Sequence, residues 1–230
     1  MSLKEYFISE QYPVYLPYLG LVWLFRNDYI THFIYQYGVW ESHLLRVFKQ
    51  YVTSESIVLD IGAHVGLHSL YLSRLVKTVH SFEPMFPTYN MLIRNIQLNK
   101  RENIHSYNIG LGECSKIIDT IYLPNQLVNT GCTRFEPLKD NVSVPVKIDL
   151  ITLDEWESQI KLPRLDLIKM DAEGYEPKII QGARKTLDKY NPIIIVENWT
   201  PDQDDPLLEL GYTRTRIETS PDWIYSRIKK

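Results

Sequence analysis

The run Val58-Leu59-Asp60-Ile61-Gly62-Ala63-His64-Val65-Gly66 constrains this chain more than any other stretch. An apolar strand ends beside an acid, small residues follow, and an amphipathic stretch begins. Strand, tight loop and helix in that order open a parallel α/β sheet, where a ligand meets free backbone N–H groups at a helix start. Gly62 and Ala63 permit close approach to the backbone, and Gly66 stands at the start of the helix. The spacing is not the dinucleotide fingerprint, which needs glycine where His64 stands, nor a P-loop, which needs Gly-Lys before Ser or Thr. Asp60 suits a ligand with a positive amino-acid end, because it can accept from an ammonium group or hold water beside one. Taken alone, the loop can also be read as an acid and glycines that only turn and cap a helix. Glu83 ends a second strand roughly twenty residues on, where an acid binds the two hydroxyls of a ribose. Together the two strand ends point to an adenosine-containing ligand.

From Ser56 onward, strand-like runs alternate with amphipathic stretches, the pattern of a largely parallel sheet with crossover helices. Strands are expected at 56–61, 78–83, 104–109, 165–170 and 193–197. Helices are expected from about Gly66, over 88–99, near 152–158 and after Pro177, a residue suited to a first helical turn. Between them, 117–123 and 142–148 read as an inserted hairpin or flap around Asn125, Asn129, Thr130 and Gly131. The tail from 211 to 228 reads as two short antiparallel strands about Ser220-Pro221-Asp222. Upstream, 14–25 reads as a packed apolar arm too short to span a bilayer. Residues 41–52 read as a helix with Leu44, Leu45, Val47, Phe48, Tyr51 and Val52 on one face. The expected organisation is an N-terminal arm and helix, 1–55, packed on a core of 56–230 in one globular domain.

Composition narrows the partners. With 230 residues, 44% of them hydrophobic and 23% charged, the chain can bury a sizeable single core. A net charge of −3 provides no bulk attraction to polyphosphate, so no nucleic acid is expected. Cys114 and Cys132 fit no common zinc spacing, and the simplest setting is reduced and cytoplasmic, or the host cytoplasm for a viral source. No membrane span is expected, and a homodimer is left open.

The motifs Asp60-Ile61-Gly62-Ala63-His64-Val65-Gly66, Phe82-Glu83-Pro84, Ile168-Lys169-Met170-Asp171-Ala172-Glu173-Gly174-Tyr175-Glu176 and Ile195-Val196-Glu197 form a specific set. The set resembles the FkbM-type methyltransferases over residues 56–199, with Asn95, Asn99 and Asn108-Ile109-Gly110-Leu111-Gly112 at related positions. The resemblance implies a class I, Rossmann-like α/β fold: a largely parallel seven-stranded sheet with a C-terminal antiparallel pair, helices on both faces and an N-terminal helical and aromatic arm. It also implies S-adenosylmethionine laid across the carboxyl ends of the strands. By position, Asp60, Gly62, Ala63, His64 and Gly66 would line the methionine side. Glu83 with Pro84 would hold the ribose, Asn108 and Gly110 would lie near the adenine, and Asp171 would stand beside the donor. Trp40-Glu41 would be a lead-in that folds over the cofactor. His64 departs from the asparagine more usual at its position.

In a sheet ordered 3-2-1-4-5, Asp60, Asp171 and Glu197 emerge at one crevice. An alcohol is a poor nucleophile at neutral pH, so methylating one calls for a base or metal together with in-line placement. Asp171 is the first choice for that base, or for the acid that orients the hydroxyl, and Glu173 is the second. Lys169, two residues before Asp171 on a strand, shares its face and can pair with it. The bland reading is that Asp171, Glu173 and Glu176 favour the dipole of the helix after them. Asp171, Glu197 and Asn198 also supply three hard oxygens of the kind that hold Mg²⁺ or Mn²⁺, and Glu197 can equally bind acceptor hydroxyls. The family resemblance implies a sugar or natural-product hydroxyl as acceptor, with a glycan sugar expected first. Asn129, Thr130, Arg134 and Trp199 would suit a polyhydroxylated ligand. The alternatives are a polyketide or other secondary-metabolite hydroxyl and a non-catalytic adenosyl-ligand-binding domain. An NAD-dependent reductase is disfavoured at His64.

Overall fold

Strands apolar on both faces need cover on both sides, and the chain supplies it from its two halves. The computed structural model describes residues 11–26, 28–122, 144–197 and 205–228. In chain order the elements are β1 (Gln11–Leu16), β2 (Gly20–Phe25), α1 (Tyr29–Tyr37), α2 (Ser42–Tyr51), β3 (Ile57–Ile61), α3 (Leu67–Leu72), β4 (Thr78–Phe82), α4 (Phe86–Leu98), β5 (Ile104–Tyr107) and β6 (Gly110–Leu111). There follow β7 (Lys116–Tyr122), β8 (Val144–Ile151), α5 (Leu153–Ile160), β9 (Leu167–Met170), α6 (Glu176–Gln181), α7 (Arg184–Tyr190), β10 (Ile193–Glu197), α8 (Pro206–Glu209), β11 (Thr213–Arg216) and β12 (Asp222–Ser226).

The main sheet has seven strands in the order β11-β12-β10-β9-β3-β4-β5. The five from β5 to β10 are parallel, while β12 runs antiparallel to both β10 and β11. This is the order expected from the sequence, antiparallel tail included. The inserted hairpin is also present, as β7 against β8 with β6 alongside. The loop that carries Asn125, Asn129, Thr130, Gly131, Cys132 and Arg134 lies outside the described residues, as do Asn198 and Trp199.

Alternation along the strands divides the core. Leu59, Ile61, Ile168, Met170, Ile194 and Val196 face a cluster containing Leu150, Leu153, Trp156 and Leu187. Val58, Leu167 and Ile195 face the other cluster, built with Leu24, Ile34, Leu44 and Phe48. The parallel register sets Ser81, Asp60 and Lys169 in one row on this second face. A polar row is thus carried into the interior beneath the carboxyl edge of the sheet.

The expected N-terminal arm is instead a β-hairpin, β1–β2, followed by a helix. Alternating Val22 and Leu24 are buried, and Gly20 supplies a positive φ at the turn. Asn95, wholly buried on α4, explains how the hairpin is held. Its Oδ1 accepts from Trp23 N at 2.6 Å, and its Nδ2 donates to Trp23 O at 3.0 Å and Val65 O at 2.9 Å. Asn99 Nδ2 donates to Leu21 O at 2.8 Å. On α2, Leu44, Leu45, Val47 and Phe48 are buried as expected, whereas Tyr51 is exposed at the end of the helix. Among the described residues no helix is long and apolar enough to cross a membrane, and Cys114 is free and exposed.

Candidate active site

A cavity of about 810 Å³ opens at the carboxyl ends of β3, β4, β9 and β10, roofed by α1 and the start of α2. The glycine loop after β3 is tied to the neighbouring strand, with Gly62 N and Ala63 N both donating to Phe82 O, at 3.0 and 2.9 Å. Gly62 has φ +76°, and a Cβ there would overlap the carbonyl oxygen of Asp171. The sequence reading assigns its bareness to ligand approach; the structure assigns it first to contact between the two loops. Gly66, at φ +91°, packs in the same way under Leu92 and does not line the cavity.

Ala63, His64, Glu83, Pro84 and Gly110 do line it. Glu83 is buried, yet both of its oxygens are engaged. Oε2 accepts from His64 N at 2.9 Å, and Oε1 accepts from Met85 N at 2.8 Å and Thr88 Oγ1 at 3.0 Å. Burial pushes its proton affinity up to about 7 against the pull of those three donors. Asn108 supports this corner from outside the cavity, its Nδ2 donating to the carbonyls of Glu83 and Pro84 at 2.9 and 3.0 Å.

Asp60 requires a larger correction. It is 0% exposed and absent from the cavity wall. Its Oδ2 accepts from Ser69 Oγ at 2.5 Å, and its Oδ1 lies 3.7 Å from Lys169 Nζ. The acid expected to meet the ligand's ammonium instead compensates a buried lysine. Burial raises the Asp60 carboxyl above its ordinary value, and Lys169 and Ser69 resist that rise.

Lys169 Nζ donates to Asp171 Oδ2 at 3.2 Å and Gly62 O at 3.3 Å. Burial opposes its charge, but Asp171, Asp60 and Glu41 outweigh burial and hold it cationic. Asp171 is likewise disfavoured by burial. Lys169 and a hydrogen bond from Glu197 overcome this and keep it below the usual carboxylate range. Glu197 goes the other way, pushed up to about 9 by burial and by the Asp171 charge. The two carboxyls are thus pushed in opposite directions and titrate as a coupled pair. Glu173 joins them, and oxygens of Asp171, Glu173 and Glu197 lie within 4.8 Å of one another. Glu176 stands apart, accepting from Ala172 N at 2.6 Å at the start of α6, which is the bland role foreseen for it.

Glu41 lines the cavity from the αL turn between α1 and α2, at φ 43°. Burial pushes it up to about 7. Its Oε2 lies 3.3 Å from His68 Nε2, an imidazole that burial keeps well below its ordinary value and so neutral.

The sequence reading names Trp40 and Glu41 over the cavity and passes over the rest of its roof. Tyr29, Phe33 and Tyr37 recur every fourth residue on α1 and form a wall with Trp40, with ring centroids 4.5 Å apart for Phe33–Tyr37 and 5.2 Å for Phe33–Trp40. That spacing was the available signal. His43, Thr219 and Pro221 also line the cavity and belong to none of the motifs.

The methyltransferase FkbM domain matches residues 60–217, more than half of the 230. The chain belongs to the FkbM methyltransferase family. Similar proteins include methyltransferase sdnD of Sordaria araneosa, 28% identical over 204 residues, covering 74% of this chain and 79% of that protein. Hexuronic acid methyltransferase AglP of Haloferax volcanii is 23% identical over 192 residues, covering 81% and 77%. The 2-O-methyltransferase NoeI of Sinorhizobium fredii is 27% identical over 168 residues, covering 63% and 66%. The crystal structure of methyltransferase FkbM from Methylobacillus flagellatus superposes with a TM-score of 0.55 at 16% identity, covering 79% of this chain and 50% of that one. That likeness shows the class I, Rossmann-like fold. The family match contains Glu83, Lys169, Asp171 and Glu197. It leaves out Glu41, His43, the α1 aromatic residues and β12.

Proposed function

We propose that this FkbM-family chain is an S-adenosylmethionine-dependent O-methyltransferase whose acceptor is a sugar hydroxyl, on a hexuronic acid or another glycan unit. One observation carries the reading. A single cavity has a buried strand-end acid beside a glycine loop at one end, and at the other a carboxylate fixed by a buried lysine beneath an aromatic wall.

The residues present fit such a donor. Glu83 is a carboxylate buried at the cavity wall, and the hydroxyls of a ribose would offset the cost of its charge. Pro84, His64 and Gly110 would flank the nucleoside, and Gly62 and Ala63 the amino-acid side. When bound, the donor supplies an electrophilic methyl carbon on a sulfonium. Asp171, fixed by Lys169 at 3.2 Å, orients the acceptor by accepting a hydrogen bond from a hydroxyl beside the reacting one. The wall of Phe33, Tyr37 and Trp40 gives a sugar ring a face to stack on. The names of two similar proteins, a hexuronic acid methyltransferase and a 2-O-methyltransferase, support the same acceptor class.

A divalent ion is the second arrangement that the converging oxygens of Asp171, Glu173 and Glu197 permit. Lys169 at 3.2 Å already compensates Asp171, so we assign its charge balance to the protein. The test of function is transfer of a labelled methyl group from S-adenosylmethionine to 4-nitrophenyl glycosides, with 4-nitrophenyl β-D-glucuronide first. Incorporation at a ring hydroxyl supports the reading. Transfer only to a polyketide hydroxyl or to nitrogen would overturn the acceptor class.

A further inference from the structure

An acid–base pair built entirely from outside the family match meets the cavity through its histidine. His43, in the first turn of α2, lines the cavity. Its Nε2 lies 2.7 Å from Oδ2 of Asp222, which begins β12. Asp222 is 2% exposed. The same Oδ2 accepts from Ser220 Oγ at 2.9 Å, and Ser220 Oγ in turn accepts the Asp222 N–H at 3.0 Å. The buried Asp222 oxygen accepts, so Nε2 carries a proton, and in the neutral imidazole Nδ1 keeps its lone pair. Chain segments 179 residues apart are brought together for this contact.

The methyl-transfer reading leaves one requirement unmet. Asp171 Oδ2 is already engaged by Lys169 Nζ at 3.2 Å, and a group must still take the acceptor's proton. We propose that His43, oriented by Asp222, is the general base that takes the acceptor's proton on Nδ1. This inference rests on the methyl-transfer function proposed above. In the step, the acceptor oxygen forms the new bond to the methyl carbon and the donor's carbon–sulfur bond gives its electron pair to sulfur. The hydroxyl proton passes to Nδ1, the resulting imidazolium is paired with Asp222, and the proton then leaves to solvent. His43 is the catalytic residue and Asp222 a positioning residue. The charged and titratable groups around His43 are Asp222 on β12, Glu41 just before it in the chain and His68 on α3, with Lys169 and Asp171 on the β9 side of Glu41.

Three readouts test the proposal. In ¹⁵N-histidine NMR of the whole chain, His43 is expected as the Nε2–H tautomer, and Asp222→Asn is expected to change its tautomer. His43→Gln should bind S-adenosylhomocysteine within about twofold of wild type, yet lose ~10²–10⁴-fold in methyl transfer to 4-nitrophenyl β-D-glucuronide. His43→Ala should regain part of that loss with added imidazole, which a purely structural histidine would not show. An Nδ1–H tautomer in the wild type, or a His43 signal indifferent to Asp222→Asn, overturns the pairing. Equal transfer by wild type and His43→Gln overturns the base role alone. A wild type that binds the homocysteine product but methylates no hydroxyl overturns the methyl-transfer reading itself, and the base role with it.

Discussion

The two ends of the cavity are built on different terms. The end at Glu83 comes from consecutive strand–loop–helix units within the family match, and it is held by main-chain N–H groups: Gly62 and Ala63 donate to Phe82 O, and His64 and Met85 donate to the Glu83 carboxylate. The end beneath α1 combines side chains from the N-terminal helices with the C-terminal strand, and its contacts are rings and an imidazole–carboxylate pair. Main-chain geometry tolerates side-chain change, whereas a wall of side chains is remade by substitution. A family can therefore keep one donor while its acceptors diverge, and the first end should govern donor affinity and the second acceptor choice.

Mutations can break that division, and the largest effect belongs to the residue joining the two ends. Lys169→Met leaves Asp60 and Asp171 without their cation, and the expected destabilisation is about 3–5 kcal/mol, measured by urea denaturation. A loss below about 1 kcal/mol would mean that Lys169 does not compensate the buried acids. Next comes Glu83→Gln, which should weaken S-adenosylhomocysteine binding roughly tenfold or more, since hydrogen bonds to a charged group contribute ~1.5–3 kcal/mol. The pH dependence has a definite sign. Glu83 takes up its proton near pH 7 when free, and ribose hydroxyls favour the ionised form, so affinity should rise as pH increases through about 7. Glu83→Gln should flatten that rise even though Glu41 titrates in the same range. A rise that persists in the variant would move the effect to Glu41.

Phe33→Ala should act at the other end. It should raise KM for a glycoside acceptor about 2- to 12-fold, from a ring contribution of roughly 0.5–1.5 kcal/mol, and leave homocysteine affinity unchanged. Weakened donor binding in this variant would show that the aromatic wall belongs to both ends. The smallest effect is expected from EDTA, which should leave methyl transfer within about twofold; loss with recovery on added Mg²⁺ would put an ion among Asp171, Glu173 and Glu197.

The legible part of the molecule was its sheet. The strands, the antiparallel tail and the inserted hairpin followed from apolar runs and turn residues, because a doubly covered sheet imposes a simple pattern on sequence, while the order in which the strands lie followed from the family resemblance. The glycine loop and Glu83 were legible as neighbours at the carboxyl edge of the sheet, and they line one cavity. Asp60 was legible as an acid but not as a buried one: its fate depends on Lys169 standing opposite in register, 109 residues on, and no local pattern carries that pairing. Gly62 shows the same limit, since the atom that excludes a side chain belongs to Asp171. The hairpin at 11–25 was obscured by aromatic composition, and its anchor, Asn95, lies on α4. His43 and Asp222 carried no signal separately, and their meaning arises from packing the N-terminal helices against the last strand.

The central claim is that the Glu83 end takes an adenosyl amino acid, and calorimetric titration of the wild-type chain with S-adenosylhomocysteine and NAD in parallel tests it most directly. The account predicts saturable micromolar binding of the homocysteine and none of NAD. Binding of NAD with no response to S-adenosylhomocysteine would contradict it.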